Sequence, residues 1–353
     1  MGTESIEASF LSIFALISFF IFLIISKLSQ KIKNGVLLDN DLNKPQAFHN
    51  FPIVRSGGLG TIISLCIFFY FYYLLYSEIL YEYIFISFAM FIVGFLDDLK
   101  IRIQPSKRLL LMIFLLFFLI HFLPIRILNI DIIFLTGLLK VNIFSSIFVL
   151  LCFLFIINGA NLIDGFNGLL VINLIIINII LTYINIDSAN LEFSYLLISQ
   201  IIILFSFLLF NFPNAKMFFG DSGAYLMGSL VGLNSILTNN LNPNISSFFF
   251  CTLLFYLFFE VFFSFFRKLL QKKSPIYPDN EHLHMLSFYK FLSVYGKNKG
   301  NYFNSIIINF LYLVLIIPGL YFLYDPQLSR YWFFILLLIY LIIYSRLYRL
   351  IEN

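Results

Sequence analysis

Charge is what this chain has least of. Asp, Glu, Lys and Arg make up 11% of its 353 residues while 61% are hydrophobic, whereas soluble domains carry roughly a quarter charged residues. A soluble globular domain is excluded, and the solvent for most of the surface is lipid. Cysteine is nearly as scarce. Cys66, Cys152 and Cys251 fall inside apolar runs without metal-ligand spacing, so they read as small buried hydrophobes and leave no zinc or disulfide framework to argue for. Long polar segments are missing as well. The longest, 27–58 and 267–302, are too short for an independent core, and residues 1–353 read as one integral-membrane domain. The net charge of +4 identifies no partner.

What the chain has instead is a succession of apolar runs. A helix needs about 20 such residues to cross a bilayer, and roughly eleven candidate spans follow one another. They lie near 8–26, 59–76, 79–96, 109–123, 144–157, 169–186, 193–212, 224–237, 247–266, 304–324 and 331–347. The expected fold is an all-α, polytopic transmembrane helical bundle. The first run reads as a retained helix, because Glu4 and Glu7 replace a basic leader and no A-x-A cleavage site follows. All of the 22 Lys and Arg except Arg126, Lys140 and Arg330 lie at the exits of odd-numbered spans or at the C-terminus. Positive charge is retained on the cytoplasmic side, so the N-terminus is expected outside and the C-terminus inside.

The same parity sorts the polar motifs. PIVRSGG, FLDDLK, NGANLIDGFNGL, FFGDSGAYLMG and DNEHLHM occupy loops 27–58, 97–108, 158–168, 211–223 and 267–302, all on the expected cytoplasmic face. Opposite loops hold ordinary turn residues such as NIDSAN. One composite site is therefore expected at one membrane surface. Carboxylates on separate loops suit Mg²⁺, which is commonly shared between one or two carboxylates and substrate phosphates. Gly- and Asn-rich loops at helix starts suit phosphate, and flanking bases attract anionic substrates or lipid headgroups.

Several of these residues also have plainer readings. Asp97 and Asp98 end an apolar run, where a helix C-terminus disfavours negative charge, although Asp98 and Arg102 at i, i+4 also suit an ion pair. Asn158, Asn161 and Asp164 recur at spacing three, on one helical face. Asp221 begins the next span. His282 and His284 lack a third zinc ligand, and suit contact with a diphosphate beside Asp279 and Arg267. His49 and His121 read as interfacial. Glu260 costs roughly 3 kcal/mol inside a span and is expected to partner a site residue, while Glu82 snorkels to the outer surface.

The ordered motifs, from about Pro52 to Tyr289, resemble those of the polyprenyl-phosphate N-acetylhexosamine-1-phosphate transferases, of glycosyltransferase family 4 type. That family includes initiating enzymes of bacterial surface polysaccharides and the phospho-MurNAc-pentapeptide translocase. The resemblance implies transfer of HexNAc-1-phosphate, or its deoxy counterpart, from a UDP-sugar to undecaprenyl phosphate with release of UMP. It implies Mg²⁺, with Mn²⁺ as substitute, and an active site on the cytoplasmic face of a bacterial inner membrane. By the same resemblance Asp221 and Asp164 are metal ligands, and Asp97, Asp98, Asp164, His282 and His284 are catalytic. Arg55, Lys100, Asn158, Asn161, Leu162, Asn167, Phe218 and Arg267 are substrate-binding, Phe218 by stacking on uracil. No nucleic-acid partner is expected; membrane lipid is, and a homodimer is compatible.

The chain departs from the pattern at two places. Met285 stands where many relatives carry a last histidine, and Asn167 where many carry an acid after Asp-Gly. Both leave the sugar open; the long His-rich, peptide-accommodating features of the MurNAc-pentapeptide enzyme are not evident, which favours a simple HexNAc or deoxy-HexNAc donor. Two other classes stay in view. One is a weakened relative serving a polysaccharide assembly complex. The other is a transporter, which predicts acids near the bilayer midplane rather than at one surface.

Overall fold

The structure, a computed structural model, describes residues 3–31, 37–39, 52–101, 103–275, 277 and 279–352. His49, Arg102 and most of the first polar loop lie outside these residues. Thirteen helices follow in order: α1 (Thr3–Lys31), α2 (Gly57–Tyr76), α3 (Tyr81–Asp98), α4 (Pro105–Phe122), α5 (Ile133–Leu139), α6 (Asn142–Ile163) and α7 (Leu169–Asp187). The remainder are α8 (Leu191–Asn211), α9 (Gly220–Leu241), α10 (Ser247–Leu253), α11 (Phe255–Leu270), α12 (Leu283–Tyr321) and α13 (Pro326–Glu352). Each of the expected spans coincides with one of them or with a consecutive pair.

Among the described residues, eight helices are long and apolar enough to cross a membrane, or nine with α10 and α11 taken as one bent span. The two expected spans outside that set are α3 and α9. Helix α3 carries Glu82, Asp97 and Asp98, and α9 is rich in Ser, Thr and Asn. Tertiary packing explains why they tolerate this. Helix α9 is buried along nearly its whole length and packs against α2, α3, α6 and α7, so its polar groups meet protein instead of lipid. Asn234 Nδ2 donates to Asn178 at 2.9 Å and to Gln200 at 2.8 Å, and its Oδ1 accepts from the Tyr83 hydroxyl at 2.8 Å. Close approach needs small residues. A Cβ at Gly94 of α3 would collide with the backbone of Asp221, so only glycine lets α3 reach α9 there.

Two expectations are corrected and one detail is added to the all-α fold. The ninth run is not one straight helix: the chain turns by 75° at Leu254 between α10 and α11, where φ −90° and ψ 5° leave helical geometry. Aromatic packing sets the new direction, with Phe255 and Phe259 of α11 against Tyr340 of α13 at ring separations of 6.0 and 4.9 Å. The bundle also holds a small sheet, ordered β1 (Leu38–Asp39), β2 (Ile53–Arg55), β3 (Met217–Phe218). Strands β1 and β2 are antiparallel and β2 and β3 parallel, which places Arg55 beside Phe218. Finally, the free thiols of Cys66 and Cys251 lie on outward faces rather than in the packed core. An apolar residue is indifferent between lipid and core, and hydropathy does not separate the two.

Hydrogen bonds between loops keep the expected parity. Asn167 Nδ2 donates to the Pro213 carbonyl at 2.8 Å, and its N–H donates to Asn301 Oδ1 at 2.8 Å. At the other end, Ser246 and Ser247 donate to Asp131 at 2.5 and 3.1 Å, and Asn240 donates to the Arg126 carbonyl at 2.7 Å. The motif-bearing loops thus gather at one end of the bundle.

Candidate active site

Asp98 is the innermost of the acids, 1% exposed. Its Oδ1 accepts from the Asp221 N–H at 3.0 Å, and its Oδ2 from the Ser222 N–H at 3.0 Å and the Ser222 hydroxyl at 2.5 Å. These N–H groups belong to the first turn of α9, which lacks a side-chain cap of its own. A carboxylate at the end of α3 therefore caps a different helix, and the positive end of α9 offsets the unfavourable end of α3. Gly220 makes this possible. It has φ +77°, and a Cβ there would stand 2.6 Å from Asp98 Oδ2.

Asp97 and Asp221 face each other above this joint and share Arg108, at 3.0 and 2.8 Å from its Nη1. The guanidinium also lies over the Tyr225 ring, 5.5 Å from its centroid. Arg55 makes a forked contact with Asp39, Nε at 3.1 Å and Nη2 at 2.7 Å. Burial would lower Arg55, but Asp39, Asp221 and Asp98 outweigh it and hold its pKa above the ordinary value. The acids are crowded. Burial, then the charge of Asp221, raise Asp97 to about 6 and Asp98 to about 7. Asp164, the C-cap of α6, is raised by burial, Asp221 and Asp98 despite Arg55. Asp97, Asp98, Asp164, Asp221 and Arg55 thus form one electrostatic group.

Other expected residues surround it. Lys100 is exposed beyond α3, and its N–H donates to the Asp97 carbonyl at 2.8 Å. Asn158, Asn161 and Leu162 end α6, half-buried, with Asn158 Nδ2 bonded back to Leu154 at 2.7 Å. Phe218 is half-buried in β3.

The histidines form a second group. His282 and His284 are 3% and 0% exposed, with parallel rings 5.5 Å apart. His282 Nδ1 lies 3.2 Å from Glu260 and Nε2 3.1 Å from Asp279, so Glu260 pairs with one of the residues expected in the site. Arg267 binds Asp279 at 2.8 Å and Glu281 at 2.7 Å. Burial would raise Asp279, but the charges of His282, Arg267 and Lys268 outweigh it and hold it below the usual range. The two groups meet through Phe166, two residues after Asp164, whose ring stands edge-on to His284 at 5.8 Å.

Sequence reading missed Arg108, Ser222, Asp39 and the tyrosines of α13. Arg108 was one base among several in its loop, and nothing local marked it. Ser222 sits inside the GDSG motif, where capping by a distant acid leaves no sequence signal. Tyr340 is one aromatic among many in a lipid-facing pattern.

Fold and site together define a polytopic membrane protein with an acid-lined site at one end of its bundle. Residues 80–239 match the model of glycosyl transferase family 4, a stretch that runs from the start of α3 through most of α9 and holds every acid of the first group. Over 278 residues, 76% of this chain and 78% of the relative, the chain is 26% identical to the undecaprenyl-phosphate alpha-N-acetylglucosaminyl 1-phosphate transferase of Thermotoga maritima. Over that stretch the chain is similar to glycosyl transferase family 4.

Proposed function

We propose that this protein is a polyprenyl-phosphate sugar-1-phosphate transferase, moving a HexNAc-1-phosphate or deoxy-HexNAc-1-phosphate from a UDP-sugar to undecaprenyl phosphate. The observation that carries this reading is the gathering of Asp97, Asp98, Asp164 and Asp221 around Arg55 and Arg108 in a membrane chain similar to this family. An oxygen of the acceptor phosphate attacks the sugar-side phosphorus of the diphosphate, the bond from that phosphorus to the bridging oxygen breaks, and UMP leaves with that oxygen. Two unit charges about 4 Å apart repel by roughly 4 kcal/mol at an effective dielectric near 20, so cations must screen the encounter.

The donor set fits a hard divalent cation. Asp97 and Asp221 share Arg108 and Arg55 is held by Asp39, so the acids outnumber the guanidiniums. Among the described residues no three His, Cys, Asp or Glu group to hold a metal ion by themselves; Mg²⁺ commonly needs only one or two carboxylates, with waters and substrate phosphates completing its shell. Asp221 and Asp164 would hold it; once bound, it neutralises charge on the diphosphate oxygens. Asp97, the more open acid, orients the acceptor phosphate with Arg108. That phosphate is largely ionised at neutral pH, so orientation matters more than proton removal. Arg55 and Lys100 attract the anionic substrates. Phe218, beside Arg55 on the sheet, offers the base a stacking face, with Asn161, Leu162 and Asn167 at the rim. Asp98 keeps α3 and α9 in register beneath.

This would be the first membrane step of a surface glycan such as O-antigen lipopolysaccharide or cell wall, on the cytoplasmic face of a bacterial inner membrane. The test is UMP release by membranes given undecaprenyl phosphate, Mg²⁺ and a panel of UDP-sugars. One donor should yield UMP, and Asp221→Asn should abolish it. No UMP from any donor, or equal release by Asp221→Asn, refutes the reading.

A further inference from the structure

Glu260 is a buried acid within an apolar helix, 1% exposed, and its surroundings are built for it. Three donors converge on it: the Tyr340 hydroxyl at 2.6 Å, the Leu283 N–H at 3.0 Å and His282 Nδ1 at 3.2 Å. They come from α13, from the first residue of α12, and from the N-cap of α12. A carboxylate this deep is tolerated only when donors replace its lost water.

The contacts continue outward in both directions. Glu260 and Asp279 flank the His282 ring at its two nitrogens and fix its plane. Asp279 is tied to Arg267, which also contacts the Tyr344 hydroxyl at 3.2 Å. That hydroxyl donates to the Glu281 carbonyl at 2.9 Å. Tyr340 and Tyr344 are one helical turn apart on one face of α13, so the last helix grips the histidine segment twice. Farther along, the His284 carbonyl accepts from Asn304 at 2.8 Å, and its ring packs on Phe166 of the Asp164 loop. None of these α13 residues falls within the family-matched stretch.

We infer that Glu260 is a positioning residue for the donor side of the site and that α13 supports the site through it. Tyr340 fixes Glu260. Glu260 fixes His282 and the start of α12, and His284 with Phe166 passes that placement to the loop carrying Asp164. The inference rests on the transferase reading above, together with the contact between His282, His284 and the donor's diphosphate that the sequence motifs lead one to expect.

Two isosteric variants test it in the purified full-length protein. Glu260→Gln removes the charge and keeps the shape, while Tyr340→Phe removes one hydroxyl and is the milder change. Hydrogen–deuterium exchange of peptides covering 279–290 is measured beside KM for the UDP-sugar and for undecaprenyl phosphate. Glu260→Gln should speed exchange in 279–290 and raise the donor KM about tenfold, the loss of one charge-assisted hydrogen bond, with the acceptor KM unchanged. Tyr340→Phe should shift both readouts the same way by less. A merely structural role lowers the maximal rate through loss of folded protein at unchanged KM, and that pattern overturns the inference. Unchanged exchange in Glu260→Gln also overturns it. Should the wild type release no UMP from any donor, the transferase reading falls, and exchange alone then upholds or overturns the clamp.

Discussion

Asp98→Asn should damage the fold, whereas Asp97→Asn should damage turnover. The two oxygens of Asp98 serve separate donors, Oδ1 the Asp221 N–H and Oδ2 the Ser222 N–H and hydroxyl. An amide keeps one oxygen and turns an NH₂ toward the other donors, so either flip leaves at least one buried N–H without an acceptor. An unsatisfied buried donor costs about 1–3 kcal/mol, and losing the anion at the N-terminus of α9 adds up to about 1 kcal/mol. Asp98→Asn should therefore lose about 3 kcal/mol, and Ser222→Ala, which removes only the hydroxyl, about 1 kcal/mol. Asp97 is more open and its partner is Arg108, so Asp97→Asn should change stability by less than about 1 kcal/mol while UMP release collapses. Unfolding followed through the fluorescence of Trp332, the single tryptophan, at pH 8 gives the ranking. Wild-type stability in Asp98→Asn, or greater loss in Asp97→Asn, refutes the capping argument.

Three further outcomes follow from the geometry. Without metal, Asp97 titrates near 6 in the folded chain, against about 3.9 unfolded. The folded state then holds a proton that the unfolded state releases, so its stabilising contribution is complete below about pH 4 and is lost as pH rises past 6. Melting temperature of metal-free protein should fall over that window, and a flat profile would contradict the crowding of acids. Arg108→Gln removes the cation shared by Asp97 and Asp221, and UMP release should fall about tenfold or more; an unchanged rate would show both ion pairs to be idle. Asn234→Leu strands Tyr83, Asn178 and Gln200 and should cost about 2 kcal/mol, read by thermal unfolding, with a gain in stability as the refuting result.

Much of this architecture was legible because a bilayer imposes a simple rule. Apolar length marks a helix, and the segregation of Lys and Arg sorts the loops before any packing is known. The motif acids were legible for a related reason: Asp97, Asp98, Asp164 and Asp221 are conspicuous where charge is scarce. The break at Leu254 was not, since hydropathy has no direction and the turn depends on rings contributed by α13. The small sheet was hidden too, because its two- and three-residue strands exist only where β2 meets a segment more than 150 residues away.

The division within the site shows the same boundary. Sequence alone placed the acids and histidines at one membrane surface and tied them to one family of motifs. Tertiary structure decided which acid has which partners. Asp97 and Asp98 are neighbours in the chain, yet one side chain opens toward Arg108 and the other turns beneath α9, because adjacent residues on a helix point about 100° apart. It also decided that Glu260 has partners, since the donors that make a buried carboxylate tolerable arrive from α12 and α13, and only folding brings them within hydrogen-bonding distance.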